Sequence, residues 1–252
     1  MIRAILLGVG RLGLAVSSMQ DIQIVAGVDI ALIDADFPIY KNISDCKEAA
    51  DVILNCLPPT AEEAHIESLE YAKNHKLPVI IATTGLKESV LDKIKQTSKI
   101  VPILHSPNMS IGINILVNII DYVAKALFDA GFDIEIVEKH HNKKIDAPSG
   151  TALLLADTIK SAVKKNLQYV VGGYVEKRKG DEIGIRAVRG GSITGEHSII
   201  FAGSKETIEL NHIAHSRDAF AEGMAIAAKW IIGKNPDIYT TSSIDDIIMT
   251  GV

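Results

Sequence analysis

The feature that most constrains the fold is a glycine-rich turn between an apolar strand-like run and an apolar helix start. Residues 3–7 read Arg-Ala-Ile-Leu-Leu, and Gly8–Gly13 follows with the pattern G-x-G-x-x-G. Glycines at these places permit a tight turn, a close approach of backbone to a pyrophosphate, and close packing of helix on strand. The pattern predicts the first strand–helix unit of a dinucleotide-binding fold. The alternative is a glycine turn that only packs a helix on a sheet.

The next strand-like run, residues 22–28, ends at an acidic residue, Asp29. It lies about twenty residues beyond the glycine turn, where dinucleotide-binding folds place the acid that binds the adenosine ribose hydroxyls. A carboxylate there repels the 2′-phosphate of NADPH, and the next basic residue along the chain is Lys41. We therefore predict a preference for NADH over NADPH. The preference is partial, because Arg11 in the glycine turn could reach a phosphate.

Strand-like and helix-like segments continue to alternate up to about residue 108. The further strand-like runs are residues 50–57, 78–82 and 100–104. This alternation predicts an α/β fold with an N-terminal, Rossmann-like, doubly wound parallel sheet. Ligands bind such sheets outside the carboxyl ends of the strands. Thr83, Thr84 and Asn108, in the loops at those ends, are candidate polar contacts to a nicotinamide, although Thr-Thr-Gly is also an ordinary turn.

After Ser110 the pattern changes to that of a second, α+β domain. A long apolar helix is predicted over residues 111–127, and the later strand-like runs are residues 132–137, 183–189, 197–202 and 206–212. They predict an open mixed sheet with one face covered by helices, and self-association through the other face. We expect the last helix and the tail, residues 238–249, to return to the first domain. The predicted domains are therefore 1–108 with 214–252, for dinucleotide binding, and 109–213, for substrate binding and oligomerisation.

The segment after the strand at 132–137 concentrates residues that can carry chemistry. His140, His141 and Lys144 lie there, and a Pro-Ser-Gly-Thr turn then opens the next helix. Histidine is the side chain that most readily exchanges protons near neutral pH, and lysine adds positive charge. A basic loop between a strand and a helix is often only solvated, so this is the alternative for each residue taken singly.

The turn itself has the features of an anion site. Ser149 is a good N-cap, and the amides of Gly150 and Thr151 are among the free donors of the first helical turn. Such donors bind carboxylates. Together with the histidines they predict a pocket for an acidic small molecule beside a proton-transfer group. Arg189, in an Arg-Gly-Gly-Ser connection, is a candidate for a second carboxylate, or else a surface turn charge.

Composition excludes several other classes. The chain has 252 residues, 47% of them hydrophobic and 23% charged, with a net charge of -5, which argues against a general nucleic-acid surface. Cys46 and Cys56 have no metal or redox spacing, so no metal site is predicted and both are expected to be reduced thiols in a cytoplasmic protein. The apolar runs are interrupted before a bilayer-spanning length, and the N-terminus lacks signal-peptide features, so no membrane association is expected.

The chain resembles the 4-hydroxy-tetrahydrodipicolinate reductase family, also called dihydrodipicolinate reductase. Glu138–Ala152 reads E-K-H-H-N-K-K-I-D-A-P-S-G-T-A, similar without a gap to the family signature E-x-H-H-x-x-K-x-D-A-P-S-G-T-A. Further similar segments are Gly10–Gly13, Ala82–Gly85, Ser106–Ser110, Arg189–Gly191 and Gly195–His197. The order and spacing of these segments cover nearly the whole chain.

The resemblance implies NAD(P)H-dependent reduction of 4-hydroxy-tetrahydrodipicolinate to tetrahydrodipicolinate in the diaminopimelate and lysine pathway, by a homotetramer built through the second sheet. It implies that His140 is the acid/base residue and Lys144 its partner. The substrate residues that it implies are His141, Lys144, Ser149, Gly150 and Thr151, to which we add Arg189. The cofactor residues are Gly8, Val9, Gly10, Arg11, Leu12, Gly13, Asp29, Cys56, Ala82, Thr83, Thr84, Gly85, Ser106, Asn108 and Met109.

Two departures and two alternatives bear on this interpretation. Asn55-Cys56-Leu57 stands where the family often has Asp-Phe-Thr, and Met109 where Phe is common; both lie near the predicted nicotinamide site and affect cofactor affinity more than chemistry. A dehydrogenase acting on aspartate or homoserine would share the nucleotide half, but the His-His-x-x-Lys and Pro-Ser-Gly-Thr segments disfavour it. An NADH-binding redox sensor without catalysis would have no need of His140 and Lys144.

Overall fold

A computed structural model of the protein describes residues 1–31, 33–174 and 176–240. Within these residues the chain forms twelve strands and six α-helices. In chain order they are β1 (Ile2–Leu7), α1 (Arg11–Ser17), β2 (Ile22–Val28), β3 (Ile39–Tyr40), β4 (Val52–Asn55), α2 (Glu62–His75), β5 (Val79–Ile81), α3 (Glu88–Thr97), β6 (Ile103–His105), α4 (Ile111–Asp129), β7 (Asp133–His140), α5 (Gly150–Val163), β8 (Gln168–Val171), β9 (Glu182–Arg189), β10 (Gly195–Ala202), β11 (Thr207–Ala214), α6 (Asp218–Ile231) and β12 (Ile238–Tyr239).

The chain divides into two compact units. The first contains Met1–Ile111 and the segment from Arg217 onward, and the second contains Gly112–Ser216. The sequence placed the boundaries after residues 108 and 213, close to these positions. Most of the tail that was expected to return to the first domain, from residue 241 on, lies outside the described residues.

The sheet of the first unit is parallel throughout, with strand order β12-β6-β5-β4-β1-β2-β3. Successive side chains of a strand point to opposite faces. Ala4 and Leu6 of β1 accordingly pack into a core that also contains residues of α1 and α6. Ile5 and Leu7 pack into a second core with residues of α2 and α3. Both faces are covered, so the predicted doubly wound, Rossmann-like sheet is confirmed.

The strand order of this sheet reverses between β1 and β4. From β1 the chain order runs one way through β2 and β3, and the other way through β4, β5 and β6. Ligands of doubly wound sheets bind in the crevice at such a switch point, outside the carboxyl ends of the strands. The loops at this place start at Gly8, after β1, and at Cys56, after β4.

The second unit has a five-stranded mixed sheet in the order β11-β10-β7-β9-β8. Strand β7 is antiparallel to β10 and parallel to β9. Ile134 and Ile136 of β7 pack into a core with residues of α4 and α5, so one face of the sheet is covered by these two helices. The predicted mixed sheet with one helix-covered face is confirmed.

Helix α4 differs from the prediction in one respect. By length and composition alone it could cross a membrane, whereas the sequence was expected to contain no unbroken apolar run of that length. Asp121 and Lys125 interrupt the apolar run within α4, but the mean hydropathy of the helix stays as high as that of a membrane span. Four of its six buried residues, among them Leu116 and Ile120, belong to the core of the second unit. A core helix of a soluble protein has the same properties, so α4 is weak evidence for a membrane.

Candidate active site

The residues predicted to move protons lie at the carboxyl end of β7. Alternate side chains of a strand share a face. The row that starts in the core with Ile134 and Ile136 therefore continues with Glu138 and His140. Glu138 is fully buried and His140 is 9% exposed. The buried row thus changes from apolar to titratable side chains at the edge of the core.

The carboxylate of Glu138 has three partners. Oε2 lies 2.6 Å from Nδ1 of His140, and Oε1 accepts the backbone N–H of Ser149 at 3.0 Å. Arg189, at the end of β9, donates to both oxygens at 2.7 Å. Burial raises the pKa of Glu138, but the bonds from Arg189, His140 and Ser149 outweigh burial and hold the pKa below its ordinary value. The carboxylate is therefore ionised at neutral pH.

His140 lies among groups of both signs. Burial lowers its pKa, Glu138 raises it, and the charges of Lys144 and Arg189 lower it, with a net pKa below the ordinary value. His197 of β10 packs edge-to-face on the His140 ring, with 5.2 Å between the centroids. Burial lowers the pKa of His197 to about 3, so this second imidazole is neutral at physiological pH.

The first turn of α5 begins beside the same residues. The side chain of Ser149 caps the helix, because its Oγ accepts the backbone N–H of Ala152 at 3.2 Å. His197 Nε2 lies 3.2 Å from that Oγ. Gly150 is exposed, and a Cβ built there would have no atom within 4 Å. The first turn of α5 is thus supported by the buried side chains of Ser149 and His197 and is exposed at Gly150.

The remaining predicted substrate residues lie in the loop that follows β7. Lys144 pairs with Asp146 at 2.8 Å, and this pairing lowers the pKa of Asp146 although burial raises it. The backbone N–H of Lys144 donates to the carbonyl of His141. Arg189 gives its terminal nitrogens to Glu138, while its buried Nε has no partner in the described part of the chain. A carboxylate contact from Arg189 stays a prediction.

Two segments that are far apart in sequence are joined here by backbone hydrogen bonds. Gly190 N–H donates to the carbonyl of His140 at 2.9 Å, and Asn142 N–H donates to the carbonyl of Gly191 at 3.2 Å. The pairing of β7 with β9 places Arg189 opposite His140. The His-His and Arg-Gly-Gly segments therefore form one site within the second unit.

In the first unit, the glycine turn has the close approaches that its sequence predicts. Gly8 has a φ of +81°, and a Cβ there would lie 2.7 Å from the carbonyl oxygen of Cys56. A Cβ on Gly13 would lie 2.4 Å from the carbonyl oxygen of Gly8. The Asp29 carboxylate accepts the N–H of Val9 at 2.9 Å and that of Ala31 at 2.9 Å, so it also braces the turn.

A cavity of about 470 Å³ lies at the carboxyl ends of β1 and β2; Leu7 and Val28 line it, whereas Gly8–Gly13 and Asp29 do not. Its walls come from the ends of β1 and β2, from the start of α2, and from Ile30, Lys41 and Asn42. Lys41 is distant from Asp29 in sequence, but the N–H of Asp29 donates to the carbonyl of Tyr40 at 3.0 Å. Lys41, which lies twelve residues beyond Asp29 in sequence, is therefore a spatial neighbour of this predicted ribose-binding carboxylate.

Two further predicted cofactor loops are held by internal hydrogen bonds. Thr83 is buried and its Oγ1 donates to the carbonyl of Leu57 at 2.7 Å. Ser106 Oγ donates to the carbonyl of Asn108 at 2.7 Å, and the side-chain oxygen of Asn108 accepts the N–H of Ser110 at 2.8 Å. In the loop that contains Thr83, Thr84 and Gly85 are exposed and Ala82 is half-buried. The polar side chains of Thr83, Ser106 and Asn108 therefore bond within the protein and stabilise these loops.

The departures from the family pattern are structural residues here. Asn55 is fully buried; its amide lies 3.1 Å from Nδ1 of His65 and its oxygen accepts the N–H of Leu57 at 3.1 Å. Cys56 turns its thiol towards Met224, 3.8 Å away, and burial raises the pKa of that thiol to about 12. The Met109 side chain is 4% exposed within the core. Cofactor contacts from Cys56 and Met109 would therefore use backbone atoms.

Glu138, Asp146 and His197 were not predicted to have a role. The signal for Glu138 was present, because a period of two puts its carboxylate and the His140 imidazole on one face of a strand. The position of His197 depends on the pairing of β10 with β7, which no local pattern specifies. No group of three or more metal-ligating side chains clusters within residues 1–31, 33–174 and 176–240.

Comparison with known families follows the division into two units. Residues 2–109 match the model described as dihydrodipicolinate reductase, N-terminus, and residues 112–244 match the model described as dihydrodipicolinate reductase, C-terminus. The chain belongs to the dihydrodipicolinate reductase family. The relatives of this family are oxidoreductases, which disfavours the redox-sensor alternative, and the two family models disfavour the aspartate and homoserine dehydrogenases.

Individual proteins agree with the family models. A 4-hydroxy-tetrahydrodipicolinate reductase from Caldanaerobacter subterraneus is 45% identical over 258 aligned positions, covering 100% of both chains. One from Clostridium novyi is 47% identical over 236 positions, covering 93% of this chain and 91% of its own. The solved structure of a dipicolinate-bound dihydrodipicolinate reductase from Paenisporosarcina has a TM-score of 0.76 at 22% identity, and covers 95% of this chain and 97% of its own. The last comparison shows a shared fold.

Proposed function

We propose that the chain reduces 4-hydroxy-tetrahydrodipicolinate to tetrahydrodipicolinate with a nicotinamide cofactor, a step towards diaminopimelate and lysine. The observation that carries the proposal is the joining of His140 to the first turn of α5 through Glu138. That arrangement puts a proton donor beside an anion site, as reduction of a cyclic diacid requires. Membership of the reductase family and relatives named for this activity support it.

The residues of the second unit divide the work as follows. Amides of Gly150 and Thr151 and the ammonium group of Lys144 bind the substrate carboxylates. A nicotinamide cofactor would supply the hydride for reduction at C4 of the ring, after or with loss of water. His140 then gives its Nε2 proton to the electron-rich product of that addition, and Lys144 stabilises the charge or protonates the ring nitrogen. Asp146, paired with Lys144, holds the ammonium group near His140.

The first unit fits a dinucleotide. Gly8 and Gly13 lie where a side chain would meet backbone atoms, and the adjacent cavity of about 470 Å³ is large enough for a nucleoside. Asp29 supports NADH as the preferred cofactor, because its carboxylate binds ribose hydroxyls and repels a 2′-phosphate. Lys41 and the exposed Arg11 leave NADPH as a second, weaker cofactor.

We also propose a homotetramer that forms through the uncovered face of the second sheet. Val188 and Ile213 lie on that face, 44% and 54% exposed, and Ile200 between them is half-buried. Exposed apolar side chains on a sheet face are typical of interfaces. Sedimentation velocity at several concentrations would test this; a monomer throughout would contradict it, and Ile213→Lys should lower the assembly state.

A cytoplasmic location completes the proposal. Cys46 and Cys56, the two cysteines of the chain, are both free thiols, which suits a reducing compartment. Burial raises the pKa of the Cys46 thiol to about 11, so this group is unreactive at neutral pH.

The deciding experiment is a coupled assay. The substrate is generated by the preceding synthase, and oxidation of NADH or NADPH is followed by absorbance in parallel reactions. We expect turnover with both cofactors, a higher kcat/KM with NADH, and competitive inhibition by 2,6-pyridinedicarboxylate, a flat diacid mimic of the ring. Absence of turnover with both cofactors would refute the proposed activity, and a large preference for NADPH would refute the cofactor assignment alone.

A further inference from the structure

Glu138 is the most constrained side chain in the second unit. It is fully buried, yet it carries a charge, and a buried charge is costly unless it is paired and hydrogen-bonded. Arg189 supplies a bidentate partner, with both bonds at 2.7 Å, the strongest kind of charge-assisted pair. That pair would be complete by itself. The carboxylate nevertheless makes two more contacts, and both lead to residues of the proposed reaction.

The first contact fixes the hydrogen on the His140 ring. Oε2 of Glu138 is an ionised acceptor 2.6 Å from Nδ1, so Nδ1 carries a hydrogen in every charge state of the ring. Nε2 is then the nitrogen that gains and loses a proton. A Cβ built on Gly195 of β10 would lie 3.2 Å from Nε2, so the absence of a side chain at Gly195 keeps that nitrogen accessible.

The second contact sets the position of the anion site. Oε1 accepts the backbone N–H of Ser149, the residue that caps α5. The two oxygens of one rigid carboxylate therefore hold the proton donor and the helix start at a fixed separation. Because Arg189 clamps the same two oxygens, the carboxylate cannot rotate without breaking two strong bonds.

The charge of Glu138 also raises the pKa of His140, whereas burial, Lys144 and Arg189 lower it. The groups that face the ring are Glu138 from its own strand, Lys144 from the following loop, Arg189 from β9 and the neutral His197 from β10. Burial, Lys144 and Arg189 lower the pKa of His140, and Glu138 alone raises it. Without that carboxylate, less of the ring would hold a proton at neutral pH.

We infer that Glu138 is a positioning residue of the reductase, which holds His140 in the form that presents Nε2 and ties it to the first turn of α5, with Arg189 as the clamp on Glu138. This inference rests on the proposed function for its kinetic consequences. The hydrogen position on the ring does not depend on that function. If Glu138 served only as half of a buried ion pair, its loss would lower stability without altering proton transfer.

The test uses Glu138→Gln, with Glu135→Gln as the matched control on the same strand. Glu135 lies on the opposite face of β7 and bonds to Tyr174 and Arg178. We measure kcat and KM from about pH 5 to about pH 9 and follow the His140 ring by nitrogen-15 NMR. For Glu138→Gln we expect kcat to fall about 100-fold, the fall in rate with rising pH to begin at lower pH, and the His140 pKa to drop. Glu135→Gln should leave the His140 pKa and the pH at which the rate begins to fall unchanged.

Two measurements keep the inference testable if Glu138→Gln does not fold. Arg189→Lys retains the charge but cannot clamp both oxygens. We expect it to lower kcat more than it raises KM and to mix the two ring forms in the NMR spectrum. In the unsubstituted protein, we expect the neutral His140 ring to carry its hydrogen on Nδ1.

The outcomes separate the two proposals. A neutral ring with its hydrogen on Nε2, or an unchanged pH profile in Glu138→Gln, would overturn the positioning role. No turnover in the unsubstituted protein, together with an Nδ1-bound hydrogen, would overturn the proposed function and leave the role of Glu138 in orienting the ring intact.

Discussion

The two proposed anion sites of this chain differ in what forms them. In the first unit the turn after β1 consists of backbone, with glycines where a Cβ would meet a carbonyl oxygen. In the second unit the turn before α5 is supported by buried charged and polar side chains, Glu138, Arg189 and His197. A backbone site binds a phosphate chain without exchanging protons, whereas a side-chain site can donate one. The difference is the one that the proposed function requires, with a cofactor that is only bound and a substrate that is also protonated.

The largest expected effect tests whether the second region depends on one side chain. His140→Ala removes the proton donor, and general acid catalysis is worth about 10²- to 10⁴-fold, so kcat should fall by that factor. Affinity for NADH, measured by fluorescence titration, should not change, because the glycine turn belongs to the other unit. Near-normal turnover would remove His140 from the mechanism and weaken the contrast between the regions.

A pair of glycine variants tests the backbone-built region. Gly13→Ala puts a methyl group 2.4 Å from the carbonyl oxygen of Gly8, and such overpacking lowers the free energy of unfolding by about 1–3 kcal/mol. Gly10→Ala meets no atom within 4 Å and its φ of -81° suits alanine. Urea denaturation should show a loss for Gly13→Ala only, while cofactor titration should show weaker binding for both. Equal stability of the two variants would contradict the packing role of Gly13.

Acid stability tests the cost of the buried side chains. In the folded chain burial depresses the pKa of His197 to about 3, whereas an unfolded histidine has a pKa of about 6.5. Between these values the unfolded state takes up a proton that the folded state excludes, so stability falls as pH falls, by at most about 1.4 kcal/mol per pH unit from this residue. His197→Gln should therefore lose less stability than the parent between about pH 6 and about pH 4. Parallel stability curves would show that His197 is protonated in the folded state.

The smallest expected effect asks whether the backbone-built region also uses a side chain. Lys41 lines the cavity beside Asp29 and is exposed. An exposed charge interaction is worth about 1 kcal/mol or less, so Lys41→Ala should lower kcat/KM for NADPH about fivefold or less and leave NADH unaffected. Lys47→Ala, an exposed lysine outside the cavity, is the control. An equal loss with both cofactors would assign Lys41 to a phosphate shared by them.

The two regions also differ in how far sequence could predict them. The glycine turn, Asp29 and the alternation of strands and helices are local patterns, and the doubly wound sheet that they predict is present. Arg189 was predicted to bind a second carboxylate or to be a surface turn charge, because nothing local shows that it meets Glu138, which requires the register of β9 on β7. The position of Lys41 likewise depends on the pairing of β3 with β2, and β3, with two residues, is too short for a sequence pattern to predict. Local sequence patterns therefore predict candidate residues of a site, whereas the contacts among those residues depend on strand pairing.

The order of the units along the chain has a consequence for biosynthesis. Helix α6, which supplies Ala221, Met224 and Trp230 to a core of the first unit, comes after the whole second unit in the sequence. During synthesis the contiguous segment 112–216, which forms the second unit, is therefore made before the residues of α6 that complete the first unit. The first unit therefore begins first and is completed last, and a nascent chain that stops before residue 218 would lack the α6 part of the core into which Ala4 and Leu6 pack.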